Sequence, residues 1–139
     1  MTPDALASLH ARCFVAPPPW SATSFADLLA SPHVFVLADA QGRGFALGRV
    51  IAGEAELLTL ATDPACRRQG VARTLLARFD AEGRARGADT AFLEVAENNA
   101  AARALYAACG WAEQGRRPGY YRTPGQGTVA ALILCKSLA

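Results

Sequence analysis

The run LLTLATDPACRRQGVARTLLARF at residues 57–79, with FLEVAENNAAARALY at 92–106 behind it, decides the fold. It reads as strand, turn, helix, strand, helix. Ala55 to Thr62 is a short β-prone run, and Asp63-Pro64 breaks it. From Gly70 to Arg86 the apolar residues return at helical spacing, with Val71, Leu75 and Phe79 at i, i+4, i+8 and Leu76 widening the stripe. Gly87 stands where a glycine ends a helix. Arg73, Asp80, Glu82 and Arg84 are expected to face solvent, and Arg78 and Glu82 are spaced for a weak surface ion pair. Asp89 to Val95 is the next strand. It follows a helix that followed a strand, so a right-handed crossover lays it parallel to the first. Asn98 to Cys109 is an alanine-rich helix closed by Gly110.

Working outward, residues 3–14 form a first helix, with Pro3 and Asp4 in its first turn and Leu6, Leu9 and Phe14 inward. Ala16-Pro17-Pro18-Pro19 stops it. Trp20-Ser21 opens a second helix with Ser21 as N-cap, Ser24 at N3, and Phe25, Leu28 and Leu29 as its buried stripe. Strands follow at His33 to Ala38, Gly44 to Ile51 and Ala55 to Thr62, joined by Asp39-Ala40-Gln41-Gly42 and Ala52-Gly53-Glu54. Loops this short imply an antiparallel meander. Beyond the second long helix, Trp111-Ala112 resumes a strand, Gly119-Tyr120-Tyr121 leads into a turn at Pro124-Gly125-Gln126-Gly127, and Val129 to Lys136 is a final apolar strand. The class is α/β (α+β), in one domain over residues 1–139.

A net charge of +2 with no block of like charges speaks against nucleic acid. Cys13, Cys66, Cys109 and Cys135 form no CxxC pair and lie far from His10 and His33, so no metal site is expected. No apolar run approaches the ~20 residues of a membrane span, and MTPDALASLHARCF lacks the apolar core of a signal peptide. A cytoplasmic protein with free thiols is expected.

The chemistry concentrates at three places. In Arg67-Arg68-Gln69-Gly70-Val71-Ala72 a glycine enters a helix whose first amides favour an anion. Gly70 allows close approach and Ala72 adds little bulk. The string is neither a Walker loop nor GxGxxG, and alone it fits a plain helix start with surface arginines equally well. Glu94 ends an otherwise apolar strand, where a carboxylate needs a reason: a partner such as Arg103, or work as a base. Tyr106 shares a helix face with Asn99 and Arg103 at i, i+4, i+7, either toward a ligand or as an ordinary half-buried tyrosine. Asn99 is alternatively a first-turn residue beside an Asn98 N-cap. Trp20, Tyr120 and Tyr121 are acceptor-side candidates or core and hairpin packing, and Cys109 reads as a packed small residue.

This order of elements, with Arg67, Gly70 and Ala72 at the fixed positions of a Q/R-x-x-G-x-G/A motif, resembles the GNAT superfamily of acetyl-CoA-dependent N-acetyltransferases. Within it the chain is most similar to the RimI branch, the ribosomal-protein-alanine N-acetyltransferases. That likeness rests on Pro19-Trp20-Ser21 with Phe25, Arg68-Gln69-Gly70, Leu93-Glu94-Val95, Asn99-Ala100-Ala101, Ala104-Leu105-Tyr106, Gly110-Trp111 and Tyr120-Tyr121. The resemblance implies a mixed sheet with helices on both faces. Its central parallel pair is splayed, and the family's usual first strand is missing here. It implies acetyl-CoA held by the backbone of Leu60, Ala61 and Thr62, by Arg67, Arg68, Gln69, Gly70, Val71 and Ala72, and by Asn99 and Tyr106. Glu94 would be the general base, Tyr106 the acid at the sulfur, and Trp20, Tyr120 and Tyr121 the acceptor side. Transfer would be direct, to the N-terminal alanine of a ribosomal protein or similar peptide. A small-molecule amine is the alternative acceptor, and a non-catalytic acyl-CoA-binding module the alternative role. The tail departs from the pattern at Gly119 and lacks an acidic pair at 127–129, and Arg116-Arg117 also fits a solvated turn.

Overall fold

The computed structural model describes residues 1–14, 19–123 and 127–139; the helix stop expected at 16–19 and the turn expected at 124–127 lie outside them except for Pro19 and Gly127. Helix α1 (Pro3–Cys13) starts on Thr2, whose hydroxyl accepts from the Ala5 amide. Leu6 and Leu9 are buried, and Phe14, the extended C-cap, stacks on His10. Helix α2 (Ala22–Leu29) is capped by Ser21 and buries Phe25. Strands β1 (Val34–Ala38), β2 (Gly44–Ile51) and β3 (Glu54–Thr62) form the antiparallel meander. A 3-10 turn (Pro64–Cys66) leads to α3 (Val71–Ala85), and β4 (Thr90–Ala96) returns parallel to β3. Then come α4 (Ala100–Ala108) and the hairpin of β5 (Ala112–Thr123) and β6 (Gly127–Ser137). The sheet order is β1-β2-β3-β4-β6-β5, and among the described residues no strand precedes α1.

Strand alternation divides the interior into two cores. On one face α3, α4 and the residue Trp111 that follows α4 bring Leu75, Phe79, Tyr106 and the Trp111 ring against Phe35, Leu57, Leu93, Val95 and Leu132. On the other, α1 and α2 bring Leu6, Leu9 and Phe25 against Val34, Phe45, Leu47 and Ala61. Among the described residues no helix is long and apolar enough to cross a membrane.

Several surface expectations change. Asp80 is buried, not solvent-facing: Lys136 from β6 donates to it, and also donates to the Cys109 carbonyl at 2.8 Å, tying the end of α4 to α3. Glu82 pairs with Arg86 instead of Arg78, which donates to the Ala38 carbonyl. Strand β5 runs on to Thr123 where only Trp111-Ala112 was expected, so Arg116 and Arg117 belong to a strand and not to a turn. The segment EQGRRPG has little β propensity, but β6 beside it supplies the ladder. The register slips between Glu113 and Gly115 and again between Arg117 and Tyr121, where Gly119 takes φ +61°.

Candidate active site

The centre of the sheet opens. β3 and β4 pair only from Glu54–Glu56 to Thr90–Phe92. Beyond that β3 stays with β2 as far as Thr62, and β4 stays with β6 as far as Ala96. The two strands therefore diverge, leaving the edges of Leu57–Thr62 and Leu93–Ala96 unpaired with each other. Leu47 pairs with Thr59 and Gly48 with Leu57, so Leu58 is an extra residue, a bulge at the start of the opening. Past the bulge, Leu60 packs on the α3–α4 core, Ala61 lies in the α1–α2 core, and the Thr62 carbonyl accepts from the Cys13 thiol.

The N-terminus of α3 faces this region with no side-chain cap. Gly70 is its N-cap at φ +77°, and Arg68 is also left-handed at φ +64°. The Thr74 amide bonds back to the Gly70 carbonyl, so the amides of Val71, Ala72 and Arg73 are the helix's unspent donors. The Val71 side chain is core, leaving only its backbone for a ligand. Arg67, Arg68, Gln69 and Gly70 are exposed, and among the described residues no acidic side chain engages either arginine. Gln69 accepts from Arg43 at 3.3 Å. Arg43 is itself bound to Asp39, whose carboxyl it holds well below the usual range. A Cβ at position 70 would meet nothing within 4 Å. Free amides, two uncommitted arginines and open space fit a pyrophosphate.

Glu94 and Tyr106 lie on either side of the sheet. Leu93 and Val95 point into the α3–α4 core, so Glu94 faces the α1–α2 side. Its partner is Arg117, Nη1 to Oε1 at 3.2 Å, and not Arg103, which donates to the Glu97 carbonyl. Tyr106 is buried edge-on to Trp111, ring centres 6.1 Å apart. Burial, and secondarily Cys109, push its phenol above the ordinary value, so it stays protonated through neutral pH. Asn99, not Asn98, caps α4, its Oδ1 accepting from the Ala102 amide at 3.2 Å. The helix face expected to be shared by Asn99, Arg103 and Tyr106 thus splits. Tyr106 turns into the core while the other two stay exposed at the helix start.

Trp20 shares the α1–α2 side with Glu94, and Tyr120 and Tyr121 stand edge-to-face on β5, 5.1 Å apart. Tyr121 is raised first by burial and then by Glu94, so it borders the carboxylate. One residue here escaped the sequence reading. His10 is buried, accepts at Nδ1 from the Trp20 amide at 3.0 Å, and lies 3.0 Å from the Thr59 hydroxyl through Nε2. It joins the Trp20 segment to the bulged strand, and its rank four residues after Leu6 was the signal that places it inward.

The described geometry meets a direct match. The acetyltransferase (GNAT) family model covers residues 4–111. The chain belongs to this family. As a GNAT member it is an acetyl-CoA-dependent N-acetyltransferase. It is 37% identical over 118 residues to a ribosomal protein bS18-alanine N-acetyltransferase of Escherichia coli, covering 84% of this chain and 79% of that one. It is 38% identical over 126 residues to the N-alpha-acetyltransferase RimI of Mycobacterium tuberculosis, covering 86% and 78%. The solved structure of a ribosomal-protein-alanine N-acetyltransferase from Escherichia coli superposes with a TM-score of 0.88 at 32% identity, over 99% of this chain and 88% of that one.

Proposed function

We propose that this GNAT enzyme acetylates the α-amine of a protein N-terminus, an N-terminal alanine such as that of a ribosomal protein. It would act in the cytoplasm as one domain over residues 1–139. The observation that carries the reading is the opening between β3 and β4, with the Glu94 carboxylate on one face and the protonated Tyr106 on the other. Bound acetyl-CoA supplies the acyl group as an activated thioester.

In this reading the residues divide the work. Arg67, Arg68 and the amides from Gln69 to Ala72 hold the pyrophosphate. The backbone edge of Leu60, Ala61 and Thr62 that β4 leaves open aligns the pantetheine arm and donates toward the reacting carbonyl. Asn99 offers its remaining amide group at the start of α4. Glu94 takes a proton from the acceptor ammonium, directly or through one water, so that a neutral amine attacks. Tyr106 gives its proton at the departing sulfur. Trp20, Tyr120 and Tyr121 line the acceptor side. A carboxylate suits an α-ammonium, with a pKa of about 7.7–8.0, better than a lysine ammonium at about 10.4, because the uphill proton transfer is smaller. The relatives named for alanine and N-alpha acetylation support the same acceptor.

The test is thiol release from acetyl-CoA with mass spectrometry of the acceptor. An alanine-starting peptide is set against a panel of small amines. Acetylation at the peptide's α-amine is expected; acetylation of small amines alone would discard the acceptor.

A further inference from the structure

Glu94 already holds a cation. Arg117 Nη1 lies 3.2 Å from its Oε1, and among the described residues it is the only ionic partner of that carboxylate. The other groups around Glu94 leave it to Arg117. Its register partner on β6 is the apolar Ile133. Tyr121 on β5 is a phenol raised by burial and by Glu94. Glu56 on β3, beside Phe92 on the same face, is bound by Arg49.

The pair is built to exchange. Side-chain exposures of 52% for Arg117 and 28% for Glu94 leave it half in water, where an ion pair is weak. The guanidinium also lies over the Tyr120 ring, 5.3 Å from its centre, a contact that can hold it when the carboxylate is given up. Arg117 is the last regular position of β5 before the register slips across Pro118-Gly119. An acceptor ammonium brought to Glu94 meets this guanidinium, and two cations repel each other at one carboxylate.

We propose that Arg117 is a displaceable counter-ion of Glu94, which the acceptor's ammonium must replace, so that Arg117 raises the KM of an acceptor that arrives charged. The inference rests on Glu94 being the base that the acceptor amine approaches. While no acceptor is bound, Arg117 neutralises the carboxylate. When one binds, the guanidinium gives up the carboxylate while keeping its place over the Tyr120 ring, and the ammonium takes its position at Glu94.

The experiment compares wild type with Arg117→Gln and Arg117→Lys. KM is measured for an alanine-starting peptide and for acetyl-CoA, together with Ki for the same peptide lacking its α-amino group. For Arg117→Gln the peptide KM is expected to fall about threefold, the size of an exposed ion pair removed. The Ki of the amine-free peptide and the KM of acetyl-CoA should stay unchanged, and Arg117→Lys should keep the wild-type peptide KM. A peptide KM that is unchanged or raised in Arg117→Gln would overturn the proposal, as would equal tightening of both peptides. Glu94→Gln, run alongside, separates the two levels. Full turnover in that variant overturns the base reading and the counter-ion with it. Lost turnover together with an unmoved KM in Arg117→Gln overturns the counter-ion alone.

Discussion

Gly70→Val tests the phosphate site most directly, because the structure separates its two effects. Gly70 sits at φ +77°, ψ 9°, where an L side chain is crowded by its own backbone. The strain is about 1–2 kcal/mol, at the upper end for a β-branched residue. For a chain of 139 residues, with an unfolding entropy of about 2.1 cal/mol/K per residue, that lowers Tm by roughly 3–7 °C. Nothing else in the protein should suffer, since a Cβ here meets no atom within 4 Å. Binding is different. The space that the valine fills is the approach to the free amides of α3, and each charge-assisted bond lost there is about 1.5–3 kcal/mol. Acetyl-CoA affinity should therefore fall at least tenfold, a loss the backbone strain does not predict, since it is the same in the free and the bound protein. Calorimetric titration with acetyl-CoA, beside thermal unfolding of the same preparation, reads both numbers, and Gly70→Ala gives the strain with less bulk. A lowered Tm with unchanged affinity would refute the reasoning and move the phosphates elsewhere.

Three further outcomes are expected. Glu94→Gln should cut kcat by roughly 10²–10⁴ while leaving acetyl-CoA affinity nearly intact; equal loss in steady-state rates and in titration would make the glutamate structural. His10 is pushed down to about 4 from 6.5 by burial, so it folds neutral. Its contribution is complete above pH 6.5 and is lost as pH falls toward 4, because in that window only the unfolded chain takes the proton; the loss reaches about 3 kcal/mol. Urea unfolding at pH 7 and pH 5 should show that slope in wild type and lose it in His10→Gln; an identical slope would place the pH dependence on other groups. Lys136→Met should cost about 3–5 kcal/mol, since it strands the buried Asp80 carboxylate, and adding Asp80→Leu should recover most of it. Chemical denaturation measures the cycle, and a double variant as unstable as the single would show that Asp80 is not what the lysine serves.

The elements most legible in the sequence carry their instructions locally. Ser21 caps α2, Gly70 opens α3, and the β2 boundaries Gly44 and Ile51 fall where turn residues flank an apolar run. The turn that opens α3 was readable for the same reason, since a glycine before a helical stripe states its own geometry. Strand β5 was not, because Gln114 to Gly119 favours no strand until β6 lies beside it. Asp80 looked like a surface residue because its cation comes from Lys136, 56 positions away.

By itself the sequence determined the order of elements, the helix caps and the turn that opens α3. All of these follow from contacts within a few residues, where the backbone and its nearest side chains decide the energy. The tertiary structure alone decided that β3 and β4 part after Glu56 and Phe92, and that His10 braces Trp20 against the bulge. It alone decided that Glu94 answers to Arg117 and not Arg103. Each of these is a pairing between distant segments, and which of several possible partners wins depends on how the sheet twists and packs, a quantity no local pattern carries.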